Sequence, residues 1–211
     1  MHHTIYTRIH HVRIERINME DKKTVLFNCA KELFATRGFK DTNVADITKK
    51  AGFSVGTFYN YYPSKDKLFV EIFEQETAVL MKRIMKSINL DDDPVKLIKQ
   101  ILLLNMEGML ANPILREWYN PDVYNKIEKL FREEDGLKEI DFLYRDFLKL
   151  VEKWQAKGKI KSDISSQMIM AIFEAIIRIG YHKEEIGLQY FPELQDHLTD
   201  FVLKGLTDCQ K

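Results

Sequence analysis

Residues 42–68 read TNVADITKKAGFSVGTFYNYYPSKDKL, and the punctuation of this stretch decides the fold. Asn43 is an N-cap type whose side-chain oxygen can take a free backbone N–H near Asp46. Val44, Ile47 and Ala51 then recur on one face at helical spacing, and Gly52 suits the left-handed residue that ends a helix. Ser54 is placed to cap a second helix, and Pro63 stops that helix after Tyr62. The spacing therefore predicts two helices of about two turns each, joined by a short turn. That is the layout of a helix-turn-helix, whose second helix is offered to the major groove of DNA.

Within the second helix Phe58 and Tyr62 are four apart and are expected to face inward. Gly56, Thr57, Tyr59, Asn60 and Tyr61 are left on the remaining surface. A solvated helix face normally carries Lys and Glu, so small, hydroxyl and aromatic residues there need another explanation. Glycine costs about 1 kcal/mol against alanine in a helix interior. Close approach of the backbone to a base edge or phosphate would compensate. Thr57 and Tyr59 can touch a thymine methyl or donate to phosphate, and Tyr61 and Lys65 are in reach of the flanking backbone. Taken singly, Thr42 and Asn43 can also be plain caps, and Tyr59 half-buried packing.

The stretch VADITKKAGFSVGTFYNYYPSKDKLF resembles the DNA-binding signature of the tetracycline-repressor (TetR) family of transcriptional regulators. Ahead of it, Val25–Gly38 resembles that family's first helix, with Ala30 and Phe34 before Gly38. The motif-level resemblance covers about residues 22–70, and beyond it only length and helix layout match. It implies phosphate contacts from Thr42, Asn43, Tyr61 and Lys65. It implies base or close-backbone contacts from Val55, Gly56, Thr57, Tyr59 and Asn60, with Ser54 completing the DNA-facing set. One departure is Ala45, where members often carry a base-reading arginine; alanine cannot make that contact.

The chain has 211 residues, with 32 Lys+Arg balanced by 32 Asp+Glu. The charge is uneven: residues 1–66 hold 11 basic against 7 acidic side chains, and the remainder is acidic to the same extent. A basic head on an acidic body can approach DNA with the head alone. Cys29 and Cys209 lie far apart and imply no disulfide framework, which suits a reducing cytosol. The longest apolar runs are far short of a membrane span, so a cytoplasmic protein is expected. Residues 1–20 are expected to form a flexible tail. Met19 reads as an ordinary start, while the alternative is a basic arm carrying Arg8, Arg13 and Arg16 to a groove. The His pairs of the tail lack Cys or carboxylate partners at ligand spacing, so no metal is expected.

Helical periodicity continues to the C-terminus, which makes the expected fold all-α. A head over residues 21–66 would be joined by a helix from Ser64 to Ser87 to a regulatory body over residues 67–211. Asp93-Pro94 and Asn120-Pro121 open further helices, and another runs from about Gly136 to Ala156. The helix expected over Ile164–Glu185 is apolar on two sides: Met168, Ile172, Ala175, Ile176 and Ile179 form one stripe, Phe173 and Tyr181 part of another. The last helix, from about Pro192 to Asp208, carries Leu198, Phe201 and Val202. A helix apolar on two sides needs two neighbours, and two such helices from each of two chains can form a four-helix interface. Resemblance to the family tips this toward a homodimer rather than a large monomeric core. Phe69, Phe73, Met81, Met106, Met109, Trp118, Tyr119, Tyr124, Phe142, Trp154 and Phe173 can line a cavity for an apolar or aromatic small-molecule effector, or fill a core with none.

The chain has no H-E-x-x-H and no glycine-rich phosphate loop. A di-iron bundle needs Glu three residues before His, and Ile179 and Leu194 stand there before His182 and His197. No enzyme activity and no cofactor are expected. The expectation is a homodimeric repressor on a near-palindromic operator, released by an effector. The alternative is a helical regulator without effector, acting as an activator or interaction scaffold.

Overall fold

The computed structural model describes residues 21–133, 141–179, 182–191 and 193–208, the side chains of a few of these excepted. The N-terminal tail, Cys209, Tyr181, and the side chains of Phe142 and Arg178 lie outside what is described. The described chain is all-α, with a helix-turn-helix head at the N-terminus. Helix α1 spans residues 21–37. It is followed by α2 (Val44–Ala51), α3 (Val55–Tyr59), α4 (Lys65–Ser87) and α5 (Pro94–Ala111). A 3-10 turn (Leu115–Tyr119) precedes α6 (Pro121–Glu133), α7 (Asp141–Ala156), α8 (Ser166–Ile179), the short α9 (Lys183–Ile186) and α10 (Glu193–Thr207).

The described residues fall into two compact units. The first comprises the described residues within 21–77 and 109–133, the second those within 78–108 and 141–208. Helices α4 and α5 contribute to both.

The first unit is built around an aromatic chain. Phe69 lies edge-on to Phe34 at 5.1 Å and to Phe39 at 4.8 Å, and next to Phe73 at 6.3 Å. Phe73 stacks on Trp118 at 5.7 Å, and Trp118 meets Tyr124 edge-on at 4.9 Å. Each such pair contributes about 0.5–1.5 kcal/mol beyond the area it buries. Leu26, Ala30, Ile47, Phe58, Leu68 and Ile72 close around them, all excluded from solvent. Four residues that were candidates for an effector pocket, Phe69, Phe73, Trp118 and Tyr124, are thus packed on one another.

In the second unit α8 packs against both α7 and α10. Gly158, at φ 64°, ends α7 with the Lys159 N–H returning to the Trp154 carbonyl at 2.9 Å. The Gln155 amide then donates to the carbonyls of Lys161 and Ile164, and the Lys161 N–H donates to Leu206, tying the connection to α10. Gly108 is where α5 meets Leu80 of α4, since a Cβ there would come within 2.2 Å of a Leu80 methyl. The helix expected from Ile164 starts two residues later because the Ser165 hydroxyl caps it, accepting from Met168 N–H at 3.2 Å.

Candidate nucleic-acid interface

The reading segment is assembled from local caps. Asn43 Oδ1 accepts from Asp46 N–H at 2.8 Å, and Asp46 Oδ2 accepts from Asn43 N–H at 3.3 Å, a reciprocal capping box. Gly52, at φ 73°, ends α2. Ser54 Oγ accepts from Thr57 N–H at 3.1 Å and opens α3. The regular turn of α3 ends at Tyr59, shorter than the expected run to Tyr62, although Tyr62 N–H still reaches the Phe58 carbonyl at 3.0 Å. Ser64 Oγ then caps α4 through Lys67 N–H at 3.1 Å.

Phe58 and Tyr62 are buried as their spacing requires, and burial pushes the Tyr62 phenol well up. Opposite them α3 exposes Val55 at 44% and Tyr59 at 55%, together with Gly56 and Asn60. Thr57 and Tyr61 are half-exposed, and Asn43 and Ser54 are exposed. Gly56 is informative because the fold does not need it. A Cβ built there would meet only Ser54 Oγ, at the ordinary contact distance of 3.7 Å. Gly56→Ala should therefore leave the thermal midpoint unchanged or slightly higher, with a helix-propensity gain of up to about 1 kcal/mol. It should weaken DNA binding by filling the approach. An alanine variant binding DNA like the parent would show that nothing approaches that backbone.

Two residues expected at phosphates have other partners. Thr42 is fully buried and its hydroxyl donates to the Gly38 carbonyl at 2.9 Å. The Lys65 ammonium donates to the carbonyls of Phe39 at 2.8 Å and Thr42 at 2.7 Å, and lies 4.1 Å from the centre of the Phe39 ring. Burial holds its pKa below the usual lysine value, only partly offset by Asp66. The geometry makes Lys65 a clamp on the turn between α1 and α2. Lys65→Met should cost about 1–3 kcal/mol in chemical denaturation, as expected for losing charged hydrogen bonds to two carbonyls. The slope of log affinity against log salt should stay nearly constant; a drop of about one phosphate would return Lys65 to the DNA backbone.

Sequence reasoning missed what holds that turn from the other side. Glu117 Oε1 accepts from Phe39 N–H at 3.1 Å, while its Oε2 accepts from the Asn120 amide at 2.9 Å. Lys40 pairs with Asp122, whose carboxyl is thereby held below its usual range. Lys31 and the Asn112 amide both reach Glu76. A groove of about 500 Å³ lies beside this turn, lined among others by Phe34, Arg37, Pro113, Arg116 and Tyr119; of these only Tyr119 was among the large side chains that were pocket candidates. Of those candidates in the second unit, Trp154 is buried, Met81 and Phe173 are half-buried, and Met106 is 40% exposed; Met109, in the first unit, is half-buried. Among the described residues no cluster of His, Cys, Asp or Glu is arranged to hold a metal, and no helix is long and apolar enough to cross a membrane.

A capped helix-turn-helix with an exposed uncharged second helix, on an all-helical scaffold, defines a DNA-binding regulator. Residues 26–72 match the family model described as bacterial regulatory proteins, tetR family. Residues 26–72 therefore form a tetR-family DNA-binding domain, and over most of its length the chain is similar to transcriptional regulators. It is 27% identical to the HTH-type transcriptional regulator YdgC of Bacillus subtilis, an uncharacterised protein, over 90% of this chain and 85% of that one. It is 33% identical to YerO of the same organism, also uncharacterised, over 90% of this chain and 65% of YerO. Among solved structures, RolR in complex with resorcinol shares the fold with a TM-score of 0.65 at 15% identity, covering 90% of each chain. Thermus thermophilus FadR, a TetR-family repressor in complex with lauroyl-CoA, does so with a TM-score of 0.58 at 22% identity, covering 87% of this chain and 94% of that one.

Proposed function

We propose that the chain is a homodimeric cytoplasmic repressor that holds a near-palindromic operator with two α3 faces and releases it on binding a small apolar or aromatic effector. The observation that carries the DNA half is the exposed face of α3, with a glycine that the fold leaves open to a partner. The contacts are assigned to Val55, Gly56, Thr57, Tyr59 and Asn60, with Asn43, Ser54 and Tyr61 at the flanking backbone. Thr42 contributes through its backbone only.

Dimerisation is supported by apolar side chains that α8 and α10 turn outward, Met168 at 55% and Phe201 at 69% exposure, with Ala171 and Ala175 also exposed. The effector reading is supported by RolR and FadR, whose structures hold resorcinol and lauroyl-CoA, and by the exposed Leu102, Leu103 and Met106 on α5. Such a ligand acts only through its differential affinity for two states of the dimer, whose heads must match half-sites about 34–36 Å apart or a multiple of that.

Selection from random duplexes with the full chain should enrich an inverted repeat; no enriched repeat would sink the DNA reading. A thermal-shift screen of small apolar and aromatic molecules should find ligands that raise the midpoint and lower operator affinity. Met106→Trp should blunt that response while leaving operator binding without ligand unchanged. A Met106→Trp protein with the full response would move the ligand elsewhere.

A further inference from the structure

We infer that α3 reads A·T pairs through their thymine methyl groups, so that each half-site presents an A·T-rich stretch to it. The inference rests on the DNA reading proposed above and adds the class of base that is read.

The helix Val55–Tyr59 and its cap Asn60 carry no ionisable group except the Tyr59 phenol, and no charge. Guanine is read chiefly by the bidentate donors of Arg or Lys, and cytosine's amino group by Asp or Glu. None of these stands on α3, and Ala45 brings none from α2. Three of the described cations around the segment have partners within the head. Lys50 pairs with Glu32 at 2.7 Å, Lys65 clamps two carbonyls, and Arg37 lies 4.0 Å from Asp46. Lys49 is exposed in the last turn of α2, the helix that crosses the phosphate backbone in this motif.

What α3 does offer is methyl groups. Thr57 Oγ1 lies 3.0 Å from Ser54 Oγ, the same oxygen that takes the Thr57 N–H. With the hydroxyl drawn back to the cap, tetrahedral Cβ turns the methyl away from Ser54. Thr57 is half-exposed, so the methyl is the group left to a partner. Val55, 44% exposed two residues earlier, adds two more methyls. Apolar side chains recognise the thymine C5-methyl, which projects into the major groove. Asn60 is exposed and carries the amide that pairs with adenine N6 and N7. Tyr59 is held edge-on against Phe58, with ring centres 5.4 Å apart, and its outer edge is free to meet a phosphate or base. Val55 and Thr57 thus offer groups suited to thymine, and Asn60 a group suited to adenine.

The test uses the full chain and the duplex enriched by selection. Each thymidine of a half-site is replaced in turn by deoxyuridine, which lacks only the C5-methyl. Replacement at two or more positions per half-site should weaken binding about fourfold each, the value of one buried methyl. Thr57→Ser keeps the hydroxyl bonded to Ser54 and removes the methyl, and Val55→Ala trims the other. Each variant should bind the thymidine duplex more weakly and lose the deoxyuridine effect at its own position. An enriched repeat with no position sensitive to deoxyuridine would overturn the inference and leave the DNA reading intact. Sensitivity unchanged in both variants would also overturn it. No enriched repeat at all would overturn both.

Discussion

Ala175→Arg or Phe201→Asp should give a folded monomer that no longer holds its operator. Both positions are exposed on the single chain, Phe201 at 69%, so neither change disturbs the protomer's own core. Surface substitutions of that kind cost within about 0.5 kcal/mol. In a two-fold interface built from α8 and α10 the same charge would be buried, and buried twice, because each residue occurs on both partners. An unpaired buried charge costs about 3–5 kcal/mol, so the pair would shift dimerisation by several orders of magnitude. Losing the second head removes the gain from linking two half-sites, about 10²–10⁴ in affinity. Sedimentation velocity at micromolar concentration, alongside a thermal melt, reads both effects. A variant that stays dimeric places the interface elsewhere. A variant that fails to fold assigns these side chains to the core.

Phe69→Ala should cost the first unit about 3–5 kcal/mol, the usual range for deleting a buried aromatic ring. Phe69 is 1% exposed and touches Phe34, Phe39 and Phe73, so no neighbour can close the gap without breaking another ring contact. Domains have only about 5–15 kcal/mol in total, so the variant should be partly unfolded at physiological temperature. Val79→Ala is the control on the same helix. Val79 is 57% exposed, and its loss should stay within about 0.5 kcal/mol. Equal losses at the two positions in chemical denaturation would contradict the packing described for Phe69.

The parts that were legible in the sequence share a physical property: their partners are within four residues. Asn43 with Asp46, Ser54 with Thr57 and Ser64 with Lys67 are caps that any sequence reader can place, because the orphan N–H groups of a helix start are always there to be filled. Gly52 ended a helix where a left-handed residue was expected. Phe58 and Tyr62 followed from helical periodicity alone. The class of protein was legible for the same reason, since the helix-turn-helix is almost entirely local.

Tertiary structure decided what local pattern cannot carry. Phe39 and Glu117 are 78 positions apart and Lys40 and Asp122 are 82 apart, and no cap or period marks either pair. A lysine in the first turn of a helix reads as a free surface cation; only folding brings the carbonyls of Phe39 and Thr42 to Lys65 and makes it a clamp. Thr42 looked available for the same reason until Gly38 took its hydroxyl. The large apolar side chains were likewise ambiguous, because hydrophobicity says that a residue avoids water and not what replaces the water. Packing sent Phe69, Phe73 and Tyr124 to the core and left Met106, Met168 and Phe201 in solvent. By itself the sequence determined the caps that open α2, α3 and α4 and the face of α3, since those depend on neighbours along the chain. Which residues tie the head's first turn in place, and which apolar faces remain for a partner, depended on contacts across the fold.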